Sequence, residues 1–172
     1  MNQFPKILHA VTLFKDLEDA ALAALARLMI AKKLKAGNVI FHELDESDAL
    51  YIIEEGSVVV SKHVRDDVDI VLTRFQMGDF FGEMGLFDAA PRSATAHAEV
   101  DSIIWRLDRN VFHETIAQHP DIASKICYRL VTVFIERLRV TNEQAREAVR
   151  WGLEVTGYSP VGGGIPFGRK ST

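Results

Sequence analysis

The alternation of apolar and polar residues divides the chain into a helical beginning, a middle of short strands and a helical end. From Leu17 to Leu34 the apolar residues recur at helical spacing, with Asp16 or Asp19 near the start and lysines near the end. Gly37 follows these lysines and is typical of a helix end. We therefore expect one packing helix over Leu17–Leu34.

The pattern after Gly37 is that of an all-β domain. Short runs rich in valine, isoleucine and aromatic residues are separated by turn residues such as glycine and aspartate. Their spacing predicts a β-sandwich or roll and argues against a parallel sheet. The predicted strands are Val39–His42, Leu50–Glu54, Ser57–Val64, Val68–Phe75, Ala94–Val100 and Ile103–Leu107.

Helical spacing returns after the last predicted strand. Asn110–Gln118 predicts a short helix, which His119-Pro120 ends. Asp121 is placed to cap a longer helix that reaches about Trp151. This helix carries an apolar stripe, and we expect its distal half to pack against another chain. The stripe consists of Ile122, Ile126, Leu130, Val133, Phe134, Leu138, Thr141, Ala145 and Ala148.

Composition and charge narrow the class of protein. The 172 residues are 48% hydrophobic and 26% charged, which is typical of a soluble protein with one core. The net charge of −4 disfavours a surface built to neutralise nucleic-acid phosphates. The single cysteine, Cys127, cannot form an intramolecular disulfide, and neither a signal peptide nor a membrane span is predicted. These features favour a cytoplasmic protein without a membrane partner.

The stretch Gly78–His97 interrupts the strand pattern with glycines, an acid and an arginine. Gly82–Gly85 predicts a helical turn whose first amides lack intrahelical partners and can bind a small anion. Arg92 can donate two parallel hydrogen bonds to a phosphate, whereas Glu83 can accept hydrogen bonds from a sugar hydroxyl. The stretch therefore predicts a site for a phosphate that is joined to a sugar.

With these elements in place, the chain resembles the cyclic-nucleotide-binding domain family of the catabolite-activator and kinase-regulatory types. The resemblance covers about Phe14 to Gly152. It implies an α+β fold in which an eight-stranded antiparallel β-roll of jelly-roll type is flanked by an N-terminal helix and a long C-terminal helix. The stretches that carry it are Leu50–Ile53, Gly56–Val58, Gly78–Leu86 and Pro91–Thr95.

The resemblance also implies a ligand, a 3′,5′-cyclic mononucleotide, and assigns residues to its phosphate and ribose. Arg92 would pair with the cyclic phosphate, and Ser93 would add a hydroxyl contact. Glu83 would accept the ribose 2′-hydroxyl. The backbone amides of Gly82 and Met84 would lie beside them.

Other residues would contact the nucleotide from the strands and the long helix. By the same resemblance, Val60 and Leu72 would touch it from the strands. One count along the helix points to Arg137 as the residue that meets the base. The local string that includes Leu138 points instead to Thr141, about one turn further. The sequence leaves both Arg137 and Thr141 as candidates for the base contact.

The sequence leaves alternatives for the base of the ligand and for the function of the chain. Cyclic AMP is favoured over cyclic GMP because apolar strand residues such as Leu72 demand little of the base, although Ser93 could also contact a guanine. A constitutive homodimer or interaction module, formed by the long helix with an unused pocket, is the alternative function. An enzyme or a metal site is disfavoured, since no nucleophile pairs with a base and the six histidines do not cluster.

We expect a nucleotide-binding domain over residues 1–152 and an irregular or disordered Gly- and Pro-rich tail over 153–172. Within the domain, the helical part covers 1–36, the β-roll 37–108 and the C-terminal helices 109–152. The tail is too short for a DNA-reading domain. The expected protein is a free-standing sensor without a cofactor or DNA partner, which signals through its C-terminal helix to a downstream protein that the sequence does not identify.

Overall fold

The computed structural model describes residues 6–65 and 68–156. These residues form the predicted α+β fold, in which antiparallel strands are flanked by an N-terminal helical segment and C-terminal helices. The strands are β1 Ile30–Leu34, β2 Val39–Phe41, β3 Ala49–Glu55, β4 Ser57–Arg65, β5 Val68–Gln76, β6 Phe80–Phe81, β7 Thr95–Ala98 and β8 Ser102–Asp108. The helices are α1 Asp19–Leu28, α2 Arg109–Gln118 and α3 Pro120–Val155, with 3₁₀ turns at Lys6–His9, Thr12–Phe14 and Glu83–Leu86.

The strands form two four-stranded sheets, with the orders β1-β8-β3-β6 and β2-β7-β4-β5. An apolar cluster of residues from both sheets lies between them, made up of Ala49, Tyr51, Ile53, Val58, Phe81, Ala96 and Ile104. Successive side chains of a strand point to opposite faces, so Leu50 and Ile52 of β3 face away from this cluster. Both are nevertheless fully buried, and β3 is therefore covered on both faces.

The helix predicted over Leu17–Leu34 is too long. The structure ends α1 at Leu28, and Ile30–Leu34 is strand β1, which pairs with β8 from Arg106 to Ser102. Most of this edge strand is exposed, so its lysines stay in solvent as they would on a helix, and the local pattern does not distinguish the two. Pairing with a distant strand decides the conformation. The β-roll consequently begins at Ile30 and not at residue 37.

The C-terminal helices follow the prediction except at their ends. Pro120 is the first residue of α3, a position that suits its fixed φ, so Asp121 lies in the first turn and is not the cap. The helix continues to Val155, so Leu153–Val155 are helical and do not belong to the predicted irregular tail. The prediction for 157–172 lies outside the described residues.

The chain divides into two compact units, Met1–Leu130 and Val131–Thr172. The first unit contains both sheets, α1, α2 and the beginning of α3. The described part of the second unit is the remainder of α3 and the residue after it. Among the described residues, none of the helices combines the length and the apolar composition needed to cross a membrane.

Candidate functional site

The segment between β6 and β7, Gly82–Ala94, is named the cassette here. It begins at Gly82, whose φ of 73° lies in the left-handed region that glycine adopts without strain. The 3₁₀ turn Glu83–Leu86 follows at once, and the Gly85 N–H donates to the Gly82 carbonyl over 3.0 Å. The glycine conformation thus reverses the chain directly after β6 and starts the predicted turn.

Two glycines leave room for the guanidinium of Arg92. A Cβ atom on Gly82 would lie 2.8 Å from Arg92 Nη1, and one on Gly85 would lie 3.1 Å from the same nitrogen. A Cβ on Gly85 would also approach the Ser47 hydroxyl to 2.6 Å. The glycines of the cassette are therefore needed for close approach of a side chain as well as for the turn.

Arg92 is buried, with 4% of its surface exposed, and its guanidinium is bound by two segments of the chain, Asp48-Ala49 and the turn at Gly82. Its Nη1 donates to the Gly82 carbonyl over 3.1 Å, and its Nη2 donates to the Ala49 carbonyl over 2.9 Å. The same Nη2 lies 3.4 Å from Asp48 Oδ1, which is a long ion pair. The Nε–H is also buried but has no acceptor among the described residues. One donor of this guanidinium is thus left without the hydrogen bond that burial normally requires.

Aromatic rings surround the rest of the guanidinium. Its central carbon lies 4.3 Å from the centroid of the Phe41 ring and 5.6 Å from that of Tyr51, which are cation–π distances. Burial lowers the pKa of Arg92, whereas Tyr51 and Asp48 oppose that shift. An arginine keeps its proton in spite of such a shift. The site therefore holds a permanent, mostly desolvated positive charge.

Asp48 joins Arg92 to a second arginine. Asp48 Oδ2 accepts from Arg106 Nη2 over 2.6 Å, and Arg106 Nη1 forms a further ion pair with Asp108. Burial lowers the pKa of Arg106, but the hydrogen bond with Tyr51 and the charges of the two aspartates raise it above the ordinary value. The inner face of the roll thus contains two arginines and two aspartates in one connected network.

Helix α2 binds the cassette backbone through two side chains one turn apart. Arg109 Nε donates to the Gly85 carbonyl over 2.5 Å, and its Nη2 donates to the carbonyls of Asp88, over 2.8 Å, and Ser47. His113 Nε2 lies 2.8 Å from the Leu86 carbonyl, so this nitrogen must carry the proton. The position of the cassette is thereby coupled to that of α2.

The structure brings some of the predicted ligand residues together. Gly82 and Arg92 are hydrogen-bonded, and Glu83, next to Gly82, is buried. Met84 is exposed at the surface of the turn, and its backbone contact to the ligand stays a prediction. Ser93 is exposed, and its carbonyl accepts from Lys62 Nζ over 3.2 Å.

The other predicted contacts lie on strands and on α3. Val60 of β4 is half-buried, and Leu72 of β5 is exposed beside a bulge, where the pairing between the two strands shifts register. Arg137, Leu138 and Thr141 belong to the second unit, in which the Thr141 hydroxyl donates to the Arg137 carbonyl over 2.9 Å. The ligand contacts assigned to these residues stay predictions.

Sequence reasoning missed Asp48, Arg106 and Arg109 as parts of the site. Asp48 lies in the polar stretch between the predicted strands Val39–His42 and Leu50–Glu54, and Arg106 lies inside the predicted strand Ile103–Leu107. A charged residue within a run of buried strand residues is costly unless it is paired, and this is the signal that could have identified Arg106. No comparable signal marks Arg109.

Comparisons with known proteins identify the family of the chain. The family described as cyclic nucleotide-binding domain matches residues 31–119, just over half of the chain. A CRP-like cAMP-activated global transcriptional regulator of Mycobacterium tuberculosis is 32% identical over 144 residues, which are 84% of this chain and 62% of that protein. The chain thus spans about three fifths of the length of this curated relative, and the similarity is to one part of it.

Two solved structures share both fold and sequence with the chain. The N-terminal domain of a transcriptional regulator from Streptomyces coelicolor A3(2) has a TM-score of 0.69 and 28% identity, covering 81% of this chain and 95% of that one. The regulatory domain of Toxoplasma gondii PKA, co-crystallised with cAMP, has a TM-score of 0.59 and 32% identity. That similarity covers 64% of this chain and 42% of the other.

Replacing Gly82 by alanine tests whether the cassette is shaped around Arg92. Gly82→Ala should destabilise the fold by about 1 kcal/mol or more beyond Gly78→Ala, because it adds a collision with buried Arg92 to the backbone strain. Gly78 is the matched control, since it has a φ of 91° but no atom within 4 Å of the added Cβ. Urea unfolding of both variants measures the difference.

The same pair of variants in an Arg92→Ala background identifies the collision partner. The excess cost of Gly82→Ala should fall by more than half there, and not to zero, because the Ala49 carbonyl also lies 3.1 Å from the added Cβ. An unchanged excess would show that Arg92 does not shape this turn.

Proposed function

The chain belongs to the cyclic nucleotide-binding domain family, and we propose that it is a non-enzymatic receptor for a 3′,5′-cyclic mononucleotide. The observation that carries the proposal is the buried Nε–H of Arg92, which has no acceptor among the described residues. Buried donors of this kind are rare in folded proteins and call for a specific explanation. A phosphate oxygen of the ligand supplies the acceptor.

Phosphate binding satisfies the remaining hydrogen-bond donor of the Arg92 guanidinium. A phosphate binds arginine best through two parallel hydrogen bonds, which need Nε together with a neighbouring Nη. The Ala49 bond of Nη2 is short, whereas its Asp48 contact, at 3.4 Å, is the weaker of the two. The phosphate therefore replaces Asp48 at Nη2 and adds a bond at Nε.

The charges of the cassette favour a cyclic phosphodiester over a terminal phosphate. A cyclic phosphate carries one negative charge, whereas a terminal phosphate monoester carries nearly two at pH 7. The cassette opposes the single cation of Arg92 with the carboxylate of Glu83, close to Gly82 in the same turn. That carboxylate repels a second phosphate charge and accepts a hydrogen bond from the ribose 2′-hydroxyl.

The base is proposed to be adenine. Val60 and Leu72 offer apolar contacts, which a purine without a carbonyl at position 6 satisfies best. The Mycobacterium tuberculosis relative is described as cAMP-activated, and the Toxoplasma gondii domain was crystallised with cAMP. Arg137 or Thr141 of α3 is the further candidate for the base contact, with Leu138 beside them. A ligand contact made only in one conformation of α3 would shift its population and relay the signal to a downstream protein.

Calorimetric titration with cyclic AMP, cyclic GMP and 5′-AMP tests the proposal. Arg92→Ala should weaken cyclic AMP binding by about 2–5 kcal/mol, because the phosphate loses its buried counter-charge. Arg92→Lys should retain only part of the affinity, since an ammonium cannot bind two oxygens in parallel. Wild type should prefer cyclic AMP to cyclic GMP and bind 5′-AMP most weakly.

Arg74→Ala is the matched control for this titration. Arg74 is an exposed cation of β5 that pairs with Glu99, so its removal lowers the charge of the roll by the same amount outside the cassette. We expect its affinity within about 0.5 kcal/mol of wild type. Equal affinities of wild type and Arg92→Ala would refute the assignment of the phosphate site.

A second proposal concerns the C-terminal helix, which we infer to form a homodimer with a second copy. In the second unit, exposed residues of α3 recur at alternating intervals of four and three, the heptad spacing of a coiled coil. These residues are Val131, Ile135, Leu138, Asn142, Ala145 and Val149. A polar asparagine within such a stripe is a known means of fixing the register of two helices. The stripe differs from the one predicted, sharing only Leu138 and Ala145.

Light scattering after gel filtration measures the assembly. Wild type should have the mass of a dimer at micromolar concentration, and Leu138→Glu should shift it towards monomer by burying like charges at the seam. Val140→Glu is the matched control, since Val140 is an exposed apolar residue outside the stripe. A monomeric wild type, or equal effects of the two substitutions, would contradict the proposal. A dimer that binds no cyclic nucleotide would favour the interaction-module alternative.

A further inference from the structure

The carboxylate of Asp48 contacts two arginines at different distances. Its Oδ2 accepts from Arg106 over 2.6 Å, whereas its Oδ1 lies 3.4 Å from Arg92. Arg106 also pairs with Asp108, and its side chain is 18% exposed, against 46% for that of Asp48. Of the two arginines, the more exposed one, Arg106, therefore holds Asp48 by the shorter bond.

We propose that Arg106 is a positioning residue for ligand binding, which retains Asp48 and so makes Arg92 available to the phosphate. The proposal rests on the function proposed above. It extends the site from the cassette to β8, because Arg106 would act on the ligand through Asp48 and not by direct contact.

The reason lies in what phosphate binding does to Asp48. When the phosphate takes Nη2 of Arg92, Asp48 loses its 3.4 Å partner but keeps the 2.6 Å bond to Arg106. Without Arg106, the same exchange leaves a half-buried carboxylate without a counter-ion, which is unfavourable. The carboxylate would then remain on Arg92 and compete with the phosphate for it.

The position of Arg106 in the sheet supports a role beyond packing. It pairs with Tyr51 across β3 and β8, at the edge of the apolar cluster that contains Tyr51 and Ile104. An uncharged residue at this position would avoid the desolvation of a guanidinium, and replacing buried ion pairs by apolar residues is often neutral for stability. The network of Arg106 with Asp48 and Asp108 is instead placed against the phosphate-binding arginine.

A double-mutant cycle in ligand affinity tests the proposal. Cyclic AMP is titrated into wild type, Arg106→Met, Asp48→Asn and the double variant, with folding checked for each by urea unfolding. Arg106→Met should weaken binding roughly three- to tenfold in the wild-type background. In the Asp48→Asn background the same substitution should change affinity less than about twofold, since no carboxylate remains to compete.

Arg106→Lys and Arg106→Gln keep the test decisive if Arg106→Met does not fold. Lysine retains a charge for Asp48 and should restore part of the affinity, whereas glutamine should resemble methionine. An equal loss of affinity in both backgrounds would mean that Arg106 acts only through its positive charge and not through Asp48. No loss of affinity would mean that Arg106 has no role in ligand binding. Either result overturns the role of Arg106 while leaving the receptor function intact. A wild-type protein that binds no cyclic nucleotide overturns the proposed function as well.

Discussion

The burial of one guanidinium is the constraint on which the rest of the site depends. Arg92 is desolvated between Phe41 and Tyr51, and its charge interacts with these rings, with backbone carbonyls and, at longer distance, with Asp48. A buried cation with an unsatisfied donor is costly, and it is tolerated where the surrounding structure imposes it. The two glycines of the cassette contribute to this burial because they leave space for Nη1 of Arg92. Under the proposed function, a phosphate bound at this donor removes the cost and adds to the affinity for the ligand.

The surrounding fold connects the buried guanidinium and the cassette to a helix and to a strand. The cassette is bound to α2 through Arg109 and His113, whose side chains meet the carbonyls of Gly85 and Leu86. Any displacement of the cassette on binding therefore acts on α2, which leads directly into α3. On the other side, Asp48 connects the guanidinium to β8. The proposed phosphate site is thus supported by a strand and by a helix that follow the cassette in the sequence.

Much of this could be predicted from the sequence because its signals are local. The turn at Gly82, the presence of Glu83 and Arg92 in one short stretch, and the strand periodicity are all visible in local sequence. The charge of Arg106 within a buried strand indicates that it must be paired, but its partners could not be predicted, since they depend on the register that places Arg106 opposite Tyr51. The same limitation explains β1, whose lysine-rich pattern suits a helix until β8 pairs with it. Interactions fixed by strand register have no counterpart in local spacing.

Nuclear magnetic resonance of the arginine Nε–H groups tests the central claim most directly. The Arg92 signal is identified by its loss in Arg92→Lys and is followed while cyclic AMP is added to saturation. A new charge-assisted hydrogen bond should move its proton resonance downfield and slow its exchange with water. If cyclic AMP binds while this signal keeps its position and exchange rate, the unsatisfied donor is not the phosphate contact, and the account of the site is wrong.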